Sequence, residues 1–128
     1  MREERHVSEE KKHRAPFPED DNGAPKPPDE SGSYSMLDPR FREIYFGFYK
    51  ETYKASVLDR KTKELIAIAA SLAAKCQGCL EGHLRKALKY GATRDEISEA
   101  IAIAIGVNAA AVVDLTDIAA ENLGVKLY

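Results

Sequence analysis

The sequence predicts an all-α protein: a helical domain of about five to six helices over residues 34–128, preceded by a disordered acidic, proline-rich tail at residues 1–33. Three observations carry this reading. No segment alternates apolar and polar residues as a half-buried strand does. Apolar residues in the body recur at helical spacing between recognisable caps. Residues 1–33 hold five of the six prolines but only five apolar residues, Met1, Val7, Ala15, Phe17 and Ala24. Six Lys/Arg stand against nine Asp/Glu in that stretch. Such a segment cannot bury enough apolar surface to offset the entropy of ordering its backbone.

The elements follow in order. Asp38-Pro39 reads as N-cap and first helical position. Phe41, Ile44, Tyr45 and Phe48 follow at i, i+3, i+4 and i+7, an apolar stripe on a helix reaching about Tyr53. Asp59 caps a second helix over about 60–75, where Leu65, Ile66, Ile68, Ala69, Leu72 and Ala73 make it apolar nearly all round and therefore central. A third begins near Cys76 and stops at Gly91. Thr93 and Glu96 form a capping box that launches a fourth helix through Ile105. Gly106 to Asn108 is expected to break or kink the chain before a last helix that runs to Asn122, with Gly124 beyond it.

The balance of charge excludes some function classes. The body carries 13 Lys/Arg and 12 Asp/Glu, without the clustered basic face of a nucleic-acid binder. The run at 100–113 is interrupted by Gly106 and Asn108 and ends at Asp114, whereas a membrane span needs about 20 apolar residues. It is read as a buried helix, with no membrane as partner. No apolar stretch follows Met1, so no secretory signal and a cytoplasmic location are expected. The same run carries more apolar face than so small a body covers, which predicts a homo-oligomer.

The chemistry concentrates in Cys76-Gln77-Gly78-Cys79-Leu80-Glu81-Gly82-His83. Residues three and four apart share a helix face, so both sulfurs and the imidazole fall on one stripe. The spacing allows a disulfide and sets a base one turn below the second sulfur. A thiol of ordinary pKa ~8.5 is mostly protonated at neutral pH, and a histidine in reach can take that proton. A helix N-terminus and the neighbouring Lys75 lower thiol pKa further. Other readings compete. Two cysteines on an alanine-rich helix can be small core residues. Two cysteines and a histidine can also hold zinc, with Glu64 or water as fourth ligand, although zinc sites usually draw ligands from separated segments. His6 and His13 fall in the tail and read as solvated residues. Tyr45, Tyr49, Tyr53 and Tyr90, with Phe41 and Phe48, read as core or interface aromatics. Alternatively they line the mouth of the thiol site and select apolar hydroperoxides.

The arrangement Glu64, Cys76-x-x-Cys79-x-x-x-His83, Ala87, Gly91 and Glu96-Ile97 resembles the AhpD-like alkylhydroperoxidases of the carboxymuconolactone decarboxylase superfamily. The resemblance covers about residues 37–124 and none of the tail. It implies an all-α fold in a trimer or hexamer, with peroxides or disulfides reduced through a cysteine pair and no cofactor. On it, Cys79 attacks peroxide and Cys76 resolves the sulfenic acid. His83 acts as base, and Glu64 supports a proton relay through water. A dithiol donor, lipoyl or thioredoxin-like, returns the electrons. Helix-terminus chemistry instead favours Cys76 as the more acidic thiol, and spacing alone leaves both open. Glu64 lies twelve residues before Cys76, about 18 Å along a straight helix, so it reaches the site only if the chain folds back near 74–77. Otherwise it is an acid in the first turns of a helix, where acids are favoured anyway. Members with the most developed peroxidase relay carry a histidine where this chain has Gly78, which leaves disulfide exchange the safer activity. Two other functions are compatible with the fold: decarboxylation of a lactone, and a non-enzymatic zinc- or redox-responsive module whose tail recruits a partner.

Overall fold

A computed structural model describes residues 34–128; the predicted tail, with His6 and His13, lies outside the described residues. Four helices follow in order: α1 Pro39–Tyr53, α2 Arg60–Ala73, α3 Gln77–Lys89 and α4 Arg94–Leu123. No strand occurs among the described residues.

Each helix begins where a side chain satisfies its orphan amides. The Asp38 carboxylate accepts from Arg40 N–H with Pro39 at the first position, and the Asp59 carboxylate accepts from Thr62 N–H. Thr93 and Glu96 form the predicted capping box, each side chain accepting from the other's backbone. Three ends are turned by left-handed residues, that of α4 by Gly124 at φ 64 and the other two as follows. Gly91 at φ 85 closes α3, with Ala92 N–H reaching back to Ala87 O. Lys75 at φ 54 closes α2, with Cys76 N–H reaching back to Ser71 O.

This last turn reverses the chain within three residues, so α2 and α3 run antiparallel. The core sits between them and the start of α4, where Ile68, Ala87, Ala92 and Ile97 are buried and Leu65, Leu72, Leu80 and Leu84 pack around them. A second cluster, Phe46 and Tyr49 with Tyr34 and Tyr53, holds α1. Lys63 on α2 clamps the end of α1, its Nζ donating to the carbonyls of Thr52 and Lys54 and to Ser56 Oγ.

Three expectations are corrected. The stripe Phe41, Ile44, Tyr45, Phe48 does not face this chain's core: Ile44 is 66% and Phe48 68% exposed, and the residues α1 buries are Phe46 and Tyr49. Gly106–Asn108 does not break the last helix, so the chain has four described helices and not five or six. Asn108 Nδ2 donates to Ala104 O one turn back, and Gly106 costs only about 1 kcal/mol against alanine, which a 30-residue helix absorbs. The run at 100–113 is not buried within the chain either. α4 buries Ile97, Ala100 and Ala104, while Ile101, Ile103, Ile105, Val107, Val112 and Val113 are exposed. By length and composition α4 could cross a membrane, but the charge-free stretch between Glu99 and Asp114 spans only about 21 Å against a hydrocarbon core of about 30 Å.

Candidate functional site

Cys76 and Cys79 are joined in a disulfide with Cα atoms 5.2 Å apart. Cys76 is the N-cap of α3, and its sulfur accepts from Cys79 N–H at 3.3 Å. The helix thus starts on a sulfur where a serine or aspartate oxygen usually sits. The unpaired amides of that first turn favour negative charge, so a thiolate at Cys76 would be stabilised there once the disulfide is reduced.

The reversal at 74–76 brings Glu64 alongside His83. Glu64 Oε2 lies 2.7 Å from His83 Nδ1, and both residues are buried, Glu64 completely. A carboxylate only accepts, so Nδ1 carries the proton and Nε2 presents its lone pair. The other carboxylate oxygen accepts from Arg60 Nε at 3.0 Å. The Arg60 guanidinium is itself spread over the rings of Tyr90, at 4.7 Å, and Tyr53, at 5.8 Å. The contact between Glu64 and His83 is direct.

The partner of Nε2 was not foreseen. It is the Tyr53 hydroxyl, which donates to it at 3.3 Å, and the two rings stack at 5.0 Å and 27°. Tyr53 belongs to the end of α1, thirty residues away in sequence. One turn earlier on α1, the Tyr49 hydroxyl accepts from Lys86 Nζ at 2.5 Å. Lys86 is 2% exposed and its ammonium faces the rings of Tyr49 and Tyr53 at 5.1 and 5.7 Å. Burial, with a smaller push from Lys89, brings the Lys86 pKa down to about 8. Burial, reinforced by Glu64, raises Tyr53 to about 12, and burial with Tyr53 close by raises Tyr49 further. Both phenols therefore stay neutral through the physiological range.

An open cleft of about 260 Å³ borders the two phenols. Tyr45, Phe48, Tyr49 and Tyr53 line one side and Cys76 and Cys79 another, with Ala67, Ala70, Ser71 and Ala74 of the α2 region between. The aromatics at 45, 48, 49 and 53 thus line the mouth of the disulfide, while Tyr90 packs under Arg60. All four residues singled out from the sequence lie in this region: the two sulfurs in the cleft, and Glu64 and His83 behind Tyr53. Among the described residues no three His, Cys, Asp or Glu side chains converge as metal ligands. Tyr49 and Tyr53 were read as core or interface aromatics or as the lining of the site's mouth; Lys86 was not singled out, and the two tyrosine–base pairs were missed. Their only signal is that positions 49 and 53 are one turn apart on one helix, and 83 and 86 one turn apart on another.

Comparisons with known proteins agree with this architecture. The profile described as "Carboxymuconolactone decarboxylase family" matches residues 39–121. An uncharacterised protein of the cox locus of Paracoccus denitrificans is 33% identical over 91 residues, 71% of this chain and 82% of that protein. A crystal structure of a Methanobacterium thermoautotrophicum protein superposes with a TM-score of 0.59 at 28% identity, covering 65% of this chain and 95% of that one. A Thermotoga maritima carboxymuconolactone decarboxylase family protein, with a suggested part in an antioxidative response, gives a TM-score of 0.51 at 28% identity over 69% of this chain and 99% of that one. In a second crystal structure from T. maritima the match is 35% identical, with a TM-score of 0.52, and spans 53% of this chain and 60% of that one.

Proposed function

This chain belongs to the carboxymuconolactone decarboxylase family, and from that premise we propose that it is a thiol–disulfide oxidoreductase reducing small hydroperoxides or disulfides through Cys76 and Cys79. The observation that supports it most is the position of Tyr53. That residue lines the cleft with both sulfurs and hydrogen-bonds the outer nitrogen of His83, whose inner nitrogen is held by Glu64.

In the reduced protein, the Cys79 thiol passes its proton by way of the Tyr53 hydroxyl to His83 Nε2. Glu64 stabilises the imidazolium that forms, with Arg60 fixing the carboxylate. The thiolate attacks the peroxide: an S–O bond forms, the O–O bond breaks, and the alcohol leaves. Cys76 then attacks the sulfenic acid, expelling water and closing the disulfide. A dithiol donor reopens it: one donor thiolate bonds to the Cys76 sulfur and frees Cys79. The second donor thiol then closes the donor's own disulfide and releases Cys76, whose sulfur caps α3 and is well placed to leave as a thiolate. Gly78 leaves the site without a histidine between the cysteines, so this exchange is the more robust of the two half-reactions. The antioxidative part suggested for the T. maritima relative agrees with peroxide reduction here.

The apolar face of α4 is covered by further copies of the chain. Ile101, Ile105, Val112 and Leu115 form one exposed stripe at helical spacing.

The test is turnover of an alkyl hydroperoxide with a dithiol donor. Cys79→Ser and His83→Ala each abolish it. Full activity in Cys79→Ser removes that thiol as the nucleophile.

A further inference from the structure

Helices α1 and α3 meet through two parallel tyrosine–base pairs, Tyr53 with His83 and Tyr49 with Lys86, whose phenol rings lie 4.6 Å apart centroid to centroid. Both phenols line the cleft that holds the disulfide, and both bases stand behind them. The His83 pair accepts a proton. The Lys86 pair is built the other way round: the tyrosine oxygen accepts from an ammonium, which makes its own hydroxyl a stronger donor toward any anion formed in the cleft.

We propose that Tyr49, polarised by Lys86, is the acid that protonates the oxygen leaving at the thiol site, so that the cleft carries a proton acceptor and a proton donor one helical turn apart. This rests on the reading of Cys79 as the thiol that attacks peroxide. As the Cys79 thiolate forms its bond to the terminal peroxide oxygen, the O–O bond breaks; sulfur gives up two electrons and the peroxide takes them. The departing alkoxide takes the Tyr49 proton, the Lys86 ammonium returns one to the phenolate, and water recharges Lys86. An alkoxide is a strong base and a poor leaving group, so the step gains most from a proton delivered as the bond breaks.

The surroundings suit the role. Burying an ammonium costs several kcal/mol, and an apolar side chain of similar volume would fill the same space without that cost. Among the described residues, the charged and titratable groups around the pair include Tyr45 and Tyr53 on α1, Arg60 and Glu64 on α2, and Lys89 on α3. Among these the amine loses its proton far more readily than an ordinary lysine, as a proton donor working near neutral pH must.

The test follows thiol oxidation of the reduced full-length chain by stopped flow with two oxidants. Cumene hydroperoxide expels an alkoxide, which needs a proton; peracetic acid expels acetate, which does not. Tyr49→Phe and Lys86→Met each slow the reaction with cumene hydroperoxide on the order of 10²-fold and leave the peracetic acid rate within about 2-fold. Loss of both rates in parallel would mean that the pair only shapes the cleft, and loss of neither that it is idle; either overturns the proposal. Wild-type thiols that peracetic acid oxidises and cumene hydroperoxide does not also overturn it, because no donor is then at work. If neither oxidant touches the wild-type thiols, the peroxidase reading itself falls, and the proposal with it.

Discussion

Glu64 and His83 stand nineteen residues apart in sequence, yet a carboxylate oxygen of one lies 2.7 Å from Nδ1 of the other inside the protein. What joins them is a three-residue reversal at which Lys75 takes the left-handed conformation that glycine usually supplies. The carboxylate fixes the imidazole's tautomer and orientation, and thereby turns Nε2 toward Tyr53.

Glu64→Gln keeps the volume and an oxygen for Nδ1–H but removes the charge that stabilises an imidazolium. The reduced protein should then react with iodoacetamide at neutral pH on the order of 10²-fold more slowly, since that reaction reports thiolate formation. An unchanged rate would show that His83 takes no part in activating the thiol.

Stability should depend on pH in a way traceable to Lys86. Its folded pKa, about 8, lies below the ordinary lysine value, so between about pH 8 and 10 the unfolded chain binds more protons than the folded one. The cost of burying the ammonium is therefore present in full below pH 8, and stability rises as pH increases through that window. Tyr53 works in the opposite sense, but only above pH 10, where its raised pKa makes the folded state hold the extra proton. Urea midpoints at pH 7.5 and 9.5 should rise for the wild type relative to Lys86→Met, in which this contribution is gone.

Lys75→Gly should stabilise the fold by about 1 kcal/mol, because a side chain at φ 54 carries a steric cost that glycine lacks. Gly91→Ala, at φ 85, should cost a similar amount. Chemical denaturation of the two variants checks both signs.

The sequence told more about the ends of elements than about their faces. Asp38-Pro39, Asp59 and the Thr93–Glu96 box are local chemistry, and each cap forms where it was read. The inward face of α1 was misread because its most apolar stripe, Phe41 through Phe48, is not the face that meets α2 and α3. Tyr49 and Tyr53 turn inward because Lys86 and His83 offer their hydroxyls partners, and Phe46 packs into the same cluster, a tertiary fact that periodicity does not carry. The disulfide and the base were legible because their spacing is local to one helix. Glu64 needed the resemblance, and Tyr53 and Lys86 needed the fold. Gly106 and Asn108 misled because a break costs more than one glycine does in the middle of a long helix.

Assembly through α4 should be sensitive to a single charge. Val112→Glu places a carboxylate in the stripe formed by Ile101, Ile105, Val112 and Leu115. Sedimentation velocity at micromolar concentration should show an oligomer for the wild type and a shift toward single chains for the variant. A wild type that sediments as one chain would leave the exposed face of α4 without the proposed partner.

The central claim is that Cys76 and Cys79 form a working redox pair, and counting thiols tests it most directly. The purified, reduced chain is titrated for reactive thiols, with metal analysis, before and after one equivalent of an alkyl hydroperoxide. The account requires two thiols per chain to disappear, to return on addition of a dithiol, and to do so without bound zinc. Thiols that survive the peroxide, with zinc bound in stoichiometric amount, would contradict it and make the Cys76–Cys79–His83 segment a metal site.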